Sequence, residues 1–248
     1  MGRPPKGTRP VTDPSLTDDF WRDLTGQSEP AQRDQFLWLS IYLVRELGLN
    51  QFKITTVAKM LGYSVAMVNH HFGSRDGLIA ECAERVHQNY SLELIDATEA
   101  AKRNPRARLE AYIRARVVCG RQLGGWTQVL NYPYHSFESP AIAISRSGDS
   151  FENSFFRNLM YMTQLVLDLQ QGTVSDTRPD RQAFATEIMK RNPVAIFHAA
   201  NIGTATAGAV MWMSGRMDVL TQPQEIVDFA NAALEWQVGH LVDSIPVP

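Results

Sequence analysis

The sequence predicts an all-α protein, and three features of its 248 residues support that prediction. Apolar residues recur three and four positions apart in most long segments, which is the period of an amphipathic helix. Glycine, proline and capping residues stand where these patterns begin and end. No segment shows the sustained alternation of apolar and polar residues that is typical of a half-buried strand. With 44% hydrophobic and 20% charged residues, the composition is that of an ordinary globular protein.

The N-terminal segment, residues 1–12, is rich in proline and glycine and carries only positive charge. Its basic residues Arg3, Lys6 and Arg9 precede the first acidic residue of the chain. The formal net charge of the whole chain is −2, so binding to nucleic acid would depend on a local basic patch such as this one. We expect a flexible arm here.

Two helices are predicted before residue 50. A short one within residues 13–26 begins near Pro14 or Ser15 and ends before Gly26. A longer amphipathic helix runs from Ala31 to Leu47 and is followed by glycine as a C-cap. Its apolar stripe consists of Phe36, Leu39, Leu43 and Leu47.

Two short helices follow, at 54–61 and 65–71, and the spacing of their small and apolar residues predicts a helix-turn-helix. Such a unit needs a small residue where its helices touch, a glycine in the turn and an apolar anchor on the second helix. Ala58, Gly62 and Val68 stand at positions 5, 9 and 15 of the unit. Ser64 can cap the second helix. The residues expected to face a DNA groove are Val65, Ala66, Met67, Asn69 and His70.

The rest of the chain predicts longer helices. One begins at Arg75 and reaches about Ala101, and another opens at Asn104-Pro105. A third begins at Asp149 or Ser150 and ends at Gly172. Asn192-Pro193 begins an uncharged helix, and Thr221 with Gln224 forms a capping box for the last one. Residues 139–149 are expected to form a loop.

Residues 31–80 resemble the DNA-binding domain of TetR-family transcriptional regulators. The resemblance is carried by His70-His71-Phe72-Gly73-Ser74-Arg75, preceded by the helix-turn-helix spacing described above. It covers about a fifth of the chain. It implies an arm and extra helix at 1–30, a DNA-binding domain at 31–78, and a helical effector-binding and dimerisation domain at 79–248.

The resemblance also implies roles for individual residues. Phe72 would close the helical bundle, and Arg75 would contact a DNA phosphate from a helix N-terminus. Lys53 replaces a family threonine that caps the first motif helix, so the cap is lost although a phosphate contact remains within reach. Asn69 replaces a phosphate-binding tyrosine, and Met67 replaces a small polar residue. The full set of expected DNA contacts is Arg3, Lys6, Arg9, Lys53, Thr55, Ser64, Val65, Ala66, Met67, Asn69, His70 and Arg75. Gly2-Arg3-Pro4 resembles the core of an AT-hook, which places an arginine in a narrow minor groove.

By this resemblance the protein is a repressor that binds double-stranded DNA at an inverted repeat as a homodimer. A small apolar or aromatic effector in the C-terminal domain would release it, and the helix that begins at Arg75 would transmit the change. The expected effector contacts are Trp126, Tyr132, Tyr134, Phe151, Phe155, Tyr161, Met162 and His198. Each of them is also compatible with an ordinary core position. The expected dimer interface consists of Gly203, Ala207, Met211, Leu234, Val238 and Leu241, and packing of these helices within one monomer is the alternative.

Other classes of protein have no positive signature. Cys82 and Cys119 lie far apart in the sequence, and we expect them to be reduced thiols in a cytoplasmic protein. Adjacent histidines such as His70 and His71 point about 100° apart on a helix and rarely share a metal. We expect no metal, cofactor or membrane span, and the basic run at 102–108 is interpreted as a solvated helix end. Two alternatives stay open: a helical ligand-binding protein that has lost specific DNA binding, and a helical enzyme acting on an apolar substrate.

Overall fold

The computed structural model describes residues 16–101, 103–127, 149–175, 190, 192–214 and 224–247, and the side chains of 149–157, 211–214 and 224–230 are not described. Within these ranges the chain forms helices and turns without strands, which confirms the predicted all-α fold. The contacts divide the chain into two compact units, residues 1–82 and 83–248. Helix α5, Arg75–Glu99, contributes residues to both units.

The first unit contains four complete helices and the beginning of α5. They are α1, Asp18–Thr25; α2, Gln32–Leu47; α3, Ile54–Met60; and α4, Val65–Phe72. Helices α2, α3 and α4 pack together. Their shared core includes the fully buried side chains Phe36, Leu39, Leu43, Val57 and Val68. The predicted bounds of α2, α3 and α4 each differ from these by one residue.

The second unit is built around α6, Pro105–Gln122. A short 3-10 turn, Gly124–Trp126, follows α6. The other helices are α7, Asp149–Gln171; α8, Pro193–Ser214; and α9, Gln224–Asp243. Helix α6 contacts α7, α8 and α9, and α7 also packs against α8. The largest side chains buried here are Trp126, Tyr112, Leu94, Leu109, Ile113 and Met162.

Capping side chains explain where several helices begin. The hydroxyl of Thr17 accepts a hydrogen bond from the backbone of Phe20, so α1 begins at Asp18 and not near Pro14 or Ser15. Residues 13–15 lie outside the described residues, as does the predicted capping residue Thr221. The side chain of Asn104 accepts from Ala107 at 3.0 Å and starts α6, as the Asn-Pro pair predicts.

Arg108 corrects the interpretation of the basic run as a solvated helix end. Its side chain is only 6% exposed and lies 2.9 Å from Glu99 and 3.6 Å from Asp168. Asp168 also accepts hydrogen bonds from the backbone and hydroxyl of Ser175. Because a buried guanidinium requires paired acceptors, Arg108 fastens the ends of α5, α6 and α7 to one another and is not free for DNA. Arg103, by contrast, is exposed.

Across the described ranges no helix, including the uncharged α8, is both long and apolar enough to cross a membrane.

Candidate DNA-binding interface and ligand-binding core

The turn between α3 and α4 has the geometry that its spacing predicts. Ala58 is 2% exposed and Val68 is fully buried, so the two helices meet at these positions. Gly62 has φ +72°, a left-handed conformation that glycine adopts without steric cost. The backbone N–H of Tyr63 donates to the carbonyl of Ala58 at 2.9 Å and closes the turn. These contacts hold α4 at a defined angle on α2 and α3.

The outer face of α4 carries the side chains that the sequence predicts for DNA. Ala66, Met67, Asn69 and His70 are exposed, and Val65 is half-buried. Ser64 caps the helix by accepting from the backbone of Met67 at 3.3 Å. Met67 is 38% exposed, so its thioether side chain is accessible to a partner. The face therefore has the size and composition for base edges and thymine methyl groups in a major groove.

The two adjacent histidines have different environments. His70 is exposed on the outer face of α4. His71 is half-buried, lies 3.2 Å from the side chain of Gln32 and packs against Phe36. Among the described residues no group of three or more histidine, cysteine or carboxylate side chains is placed to hold a metal ion. His71 thus helps to join α4 to α2, whereas the exposed ring of His70 is accessible to an external partner.

Lys53 and Thr55 lie at the beginning of α3, and both are exposed. Lys53 occupies the N-cap position and makes no side-chain capping hydrogen bond, as the substitution of the family threonine implies. Its ammonium group is therefore not committed to the cap.

Arg75, the first residue of α5, is partly engaged within the protein. One guanidinium nitrogen donates to the carbonyl of Leu49 at 3.1 Å, and the group lies 5.7 Å from the ring centre of Phe52. It also pairs with Asp76 at 3.3 Å. The side chain remains 41% exposed, and a guanidinium carries five N–H donors. These contacts orient the group while leaving part of it for a phosphate.

The link between α4 and α5 is stabilised by Ser74 and Gly77. The hydroxyl of Ser74 accepts from the backbone N–H of Gly77 at 3.0 Å and caps α5. Phe72 is 7% exposed, which agrees with the core role that the resemblance implies. Gly73 ends α4 with φ +74°. The Phe-Gly-Ser segment is therefore a compact joint between the candidate recognition helix and α5.

The predicted effector residues fall into three groups. Trp126, Tyr161 and Met162 are buried in the second unit, and His198 is half-buried. Phe151 and Phe155 lie on α7, where the side chains are not described, and Tyr132 and Tyr134 lie outside the described residues. The Tyr161 hydroxyl donates to Glu99 at 3.1 Å. Burial, together with the negative charge of Glu99, raises the pKa of Tyr161 to about 12, so this phenol stays protonated.

A buried polar cluster in the second unit escaped the sequence analysis. Its centre is His87 on α5, which is 3% exposed. The amide nitrogen of Asn158 on α7 lies 3.3 Å from Nε2, and the hydroxyl of Ser91 lies 3.2 Å from Nδ1. Burial and the positive charge of Arg116 lower the pKa of His87 to about 4, which keeps the ring neutral at neutral pH. His87 and Asn158 are 71 positions apart, and no local pattern in the sequence links them.

Two further buried polar groups lie near the end of α6. Arg116 is 4% exposed, and its Nε donates to the hydroxyl of Thr206 on α8 at 2.9 Å. The hydroxyl of Thr127 is buried and has no hydrogen-bond partner in the part of the chain that the structure describes. The mainly apolar core of the second unit therefore contains a buried charged donor, Arg116, and a buried hydroxyl, Thr127, which follows Trp126 in the sequence.

The predicted dimer residues require a correction. Ala207, Val238 and Leu241 are 1%, 0% and 6% exposed within a single chain, and Gly203 is buried as well. Val238 and Leu241 belong to the main core of the second unit, and Leu234 packs partly against it. A side chain buried in its own chain has little surface left for a second copy. Met211 lies on α8, where side chains are not described.

The exposed apolar residues of α8 and α9 are different ones. Val194 and Phe197 on α8 are 52% and 69% exposed, and Trp236 on α9 is 70% exposed. The ring of Trp236 stacks on His240 with a centroid distance of 5.2 Å. None of these exposed side chains is among the predicted dimer residues.

Comparison with known proteins gives a consistent result. No family model matches the chain. Over 152 residues the chain is 27% identical to the HTH-type transcriptional regulator BetI of Stenotrophomonas maltophilia. The matched segment covers 59% of this chain and 74% of the relative. Over 90 residues it is 29% identical to BetI 2 of Chromohalobacter salexigens, covering 34% of this chain and 42% of the relative. The chain thus spans about three quarters of the first relative and less than half of the second.

Two solved structures show the same fold. A transcriptional regulator from Rhodococcus sp. Rha1 superposes with a TM-score of 0.60 at 16% identity, covering 88% of this chain and all of that chain. A TetR/AcrR-family regulator from Thermobifida fusca superposes with a TM-score of 0.51 at 15% identity, with the same coverage of this chain. The names of these relatives describe each of them as a transcriptional regulator. With the helix-turn-helix geometry, these similarities show that the chain has the fold of TetR-type regulators and resembles HTH-type transcriptional regulators in sequence.

Proposed function

We propose that this regulator is a homodimeric repressor that binds an inverted-repeat operator through α4 and is released when a small, mainly apolar or aromatic molecule binds in its second unit. The observation that supports the DNA-binding part most directly is the outer face of α4. Met67, Asn69 and His70 project from a helix whose inner side is anchored by the fully buried Val68. All three side chains are exposed, so this face is accessible to DNA.

The proposed DNA interface combines base contacts with phosphate contacts. Asn69 and Met67 would contact base edges, since an amide can pair with adenine and an apolar group can contact a thymine methyl. Lys53 and Arg75 flank the helix-turn-helix and would neutralise phosphates, which position the protein without reading the sequence. We expect each phosphate contact to make binding more sensitive to salt.

Dimerisation is proposed to occur through the exposed apolar face of α8 and α9, represented by Val194, Phe197 and Trp236. Two copies of this face would bring two helices from each subunit together around a two-fold axis. The two α4 helices of the dimer would then meet successive major grooves, about 34–36 Å apart or somewhat more. An inverted-repeat operator follows from that symmetry.

The effector is proposed to bind within the core of the second unit, next to its neutral polar groups. Trp126 supplies an apolar wall, and the Thr127 hydroxyl is a buried polar group without a partner among the described residues. Such an arrangement favours a mainly apolar ligand with one or two hydrogen-bonding groups. Helix α5 contributes residues to both units, so a ligand that favours one conformation of α5 would change operator affinity.

Selection of operators from random-sequence DNA tests the DNA-binding part. The wild-type protein is expected to enrich an inverted repeat, whereas the double variant Met67→Ala/Asn69→Ala is expected to enrich none. Gln88→Ala, on the surface of the second unit, serves as the matched control and should select the wild-type sequence. Enrichment of the same sequence by the double variant would contradict the assignment of α4.

The effector part is tested with the selected operator. Small apolar and aromatic compounds that raise the melting temperature of the protein are added to the protein–operator complex. The proposal predicts that at least one of them weakens operator binding, with the factor set by its preference for the released state. A stabilising compound that leaves operator affinity unchanged argues against release by that ligand, and the same result for every stabilising compound would refute the mechanism.

A further inference from the structure

Arg33, in the first turn of α2, is not explained by the stability of that helix. The first turn of a helix has unpaired N–H groups and a partial positive charge, so a basic side chain is unfavourable there. The N-cap residue is Ala31, and no side chain caps α2. The contacts of Arg33 with other helices give a better reason for an arginine at this position.

The Arg33 side chain contacts two helices besides its own. Its guanidinium lies over the ring of Phe72, the last residue of α4, at 4.8 Å from the ring centre. At this distance a cation and an aromatic ring attract each other. One guanidinium nitrogen also donates to a carboxylate oxygen of Glu81 on α5 at 2.5 Å. These three side chains, which we call the Arg33 clamp, connect α2 with both α4 and α5.

A second contact joins the same ends of α2 and α4. The side-chain oxygen of Gln32 lies 3.2 Å from Nε2 of His71. Gln32 and Arg33 are the first two residues of α2, and His71 and Phe72 are the last two of α4. The beginning of α2 therefore holds the end of the candidate recognition helix at two adjacent positions.

The position of Glu81 on α5 gives the Arg33 clamp its leverage. The boundary between the two units falls inside α5, between Cys82 and Ala83, so α5 is the covalent connection from α4 to the rest of the protomer. Glu81 lies six residues along α5 from Arg75, which corresponds to about 9 Å. A single joint between two helices leaves their angle adjustable. A second attachment at this distance from the joint fixes the angle.

We propose that Arg33 is a positioning residue that fixes the angle of α4 on α5 and thereby sets the half-site spacing that the dimer accepts. This inference rests on the dimeric DNA-binding function proposed above. One base pair added between two half-sites moves them about 3.4 Å apart and turns one relative to the other by about a tenth of a turn. Two α4 helices discriminate between such operators only if each is held at a fixed angle in its protomer. Arg33 acts through Phe72 and Glu81 and needs no contact with DNA for this role.

The experiment compares the operator obtained by selection with two operators that have one base pair added or removed at its centre. The measured quantity is the ratio of the affinity for the selected operator to the affinity for each shifted operator. Arg33→Ala is expected to lower this ratio by about five-fold, because each contact of an exposed arginine changes an equilibrium by up to about that factor. Loss of folded protein would weaken binding to all three operators equally, so the ratio distinguishes positioning from stability.

Arg45, on the same helix, provides a matched control. Its guanidinium pairs with Glu46 at 3.0 Å and lies 5.3 Å from the ring centre of Tyr42. Its side chain is 43% exposed, compared with 45% for Arg33. Both of its partners belong to α2, so the chemistry of the contacts is the same but they hold neither α4 nor α5. Arg45→Ala should therefore keep the wild-type ratio.

Two further variants test the contacts of the Arg33 clamp separately. Arg33→Lys keeps a positive charge for Glu81 and for the Phe72 ring but lacks the planar group, so it should recover part of the ratio lost in Arg33→Ala. Glu81→Gln removes the ion pair and keeps the ring contact, so it should lower the ratio by less than Arg33→Ala does. Because Glu81→Gln leaves Phe72 covered, it provides the same test should Arg33→Ala fail to fold.

The outcomes separate this inference from the proposed function. If selection yields no inverted repeat, the proposed dimeric DNA binding itself fails. If an operator is found but Arg33→Ala and Glu81→Gln both keep the wild-type ratio, the positioning role is overturned. It is also overturned if Arg45→Ala lowers the ratio as much as Arg33→Ala, because the loss then does not depend on contacts with α4 and α5. A lower ratio for Arg33→Ala, with partial recovery in Arg33→Lys and no change in Arg45→Ala, supports it.

Discussion

Gly77 lies so close to the backbone of Phe72 that a Cβ atom at position 77 would be 2.1 Å from the Phe72 carbonyl oxygen. No side chain fits there without movement of the backbone that joins α4 to α5. This contact explains why a glycine follows the Phe-Gly-Ser segment by three positions.

The variant Gly77→Ala should therefore destabilise the first unit. We expect a loss of about 3 kcal/mol in the free energy of unfolding, since the clash is with backbone and not with a side chain that can rotate. Urea unfolding measures this loss. Asp76→Ala, at the exposed neighbouring position, is the control and should cost less than about 1 kcal/mol. A wild-type unfolding curve for Gly77→Ala would mean that the joint is looser than described.

Gly120 on α6 makes a second close approach, to Val210 on α8. A Cβ atom at position 120 would lie 2.8 Å from a methyl group of Val210. Gly120→Ala is expected to destabilise the second unit by about 1 to 3 kcal/mol, and Val210→Ala in the same chain should recover part of that loss. Gly208→Ala is the control, because nothing lies within 4 Å of a Cβ at that position. Strictly additive effects of the two substitutions would contradict direct contact.

The His87 cluster predicts that stability falls as the solution becomes acidic. The folded protein lowers the pKa of His87 from 6.5 to about 4, so the unfolded chain binds a proton more readily. The neutral His87 ring makes its full contribution to the free energy of unfolding above pH 6.5, and that contribution is lost as the pH falls toward 4. Between pH 7.5 and 5 the expected loss is about 2 kcal/mol. His87→Gln should remove this part of the dependence, and an unchanged pH profile for the variant would show that other groups cause it.

The exposed aromatic side chains of α8 and α9 predict where the dimer can be disrupted. Trp236→Glu should convert the protein to a monomer at micromolar concentration, because it places a charge at the centre of the proposed interface. Leu92→Glu changes another exposed apolar residue of the same unit, 55% exposed on α5, and should leave the dimer intact. Light scattering coupled to gel filtration distinguishes the two masses. A dimeric Trp236→Glu variant would place the interface elsewhere.

Much of the first unit could be predicted from the sequence because its signals are local. Ala58, Gly62 and Val68 occupy fixed positions in a short motif, and each has one structural reason to be there. The cap at Ser64 depends on a residue only three positions away. Interactions between residues that are close in the sequence can be predicted from the local sequence pattern.

The second unit could be predicted only in outline because its decisive contacts are distant in sequence. Helical periodicity identifies an apolar face but does not distinguish burial within one chain from burial between two. Val238 and Leu241 therefore looked like interface residues, although they pack in the core. Arg108 looked like a surface charge because its partner Asp168 is 60 positions away. The pairing of His87 with Asn158 had no local signature for the same reason.

The central claim is that a dimer reads an inverted repeat through α4. Footprinting of the wild-type protein on the operator obtained by selection tests it most directly, with the variant Met67→Ala/Asn69→Ala measured beside it. We predict two protected half-sites related by a two-fold axis, with their centres about 10 base pairs or a multiple of that apart, and no discrete protection by the variant. A single protected site, or the same footprint from the variant, would contradict the account.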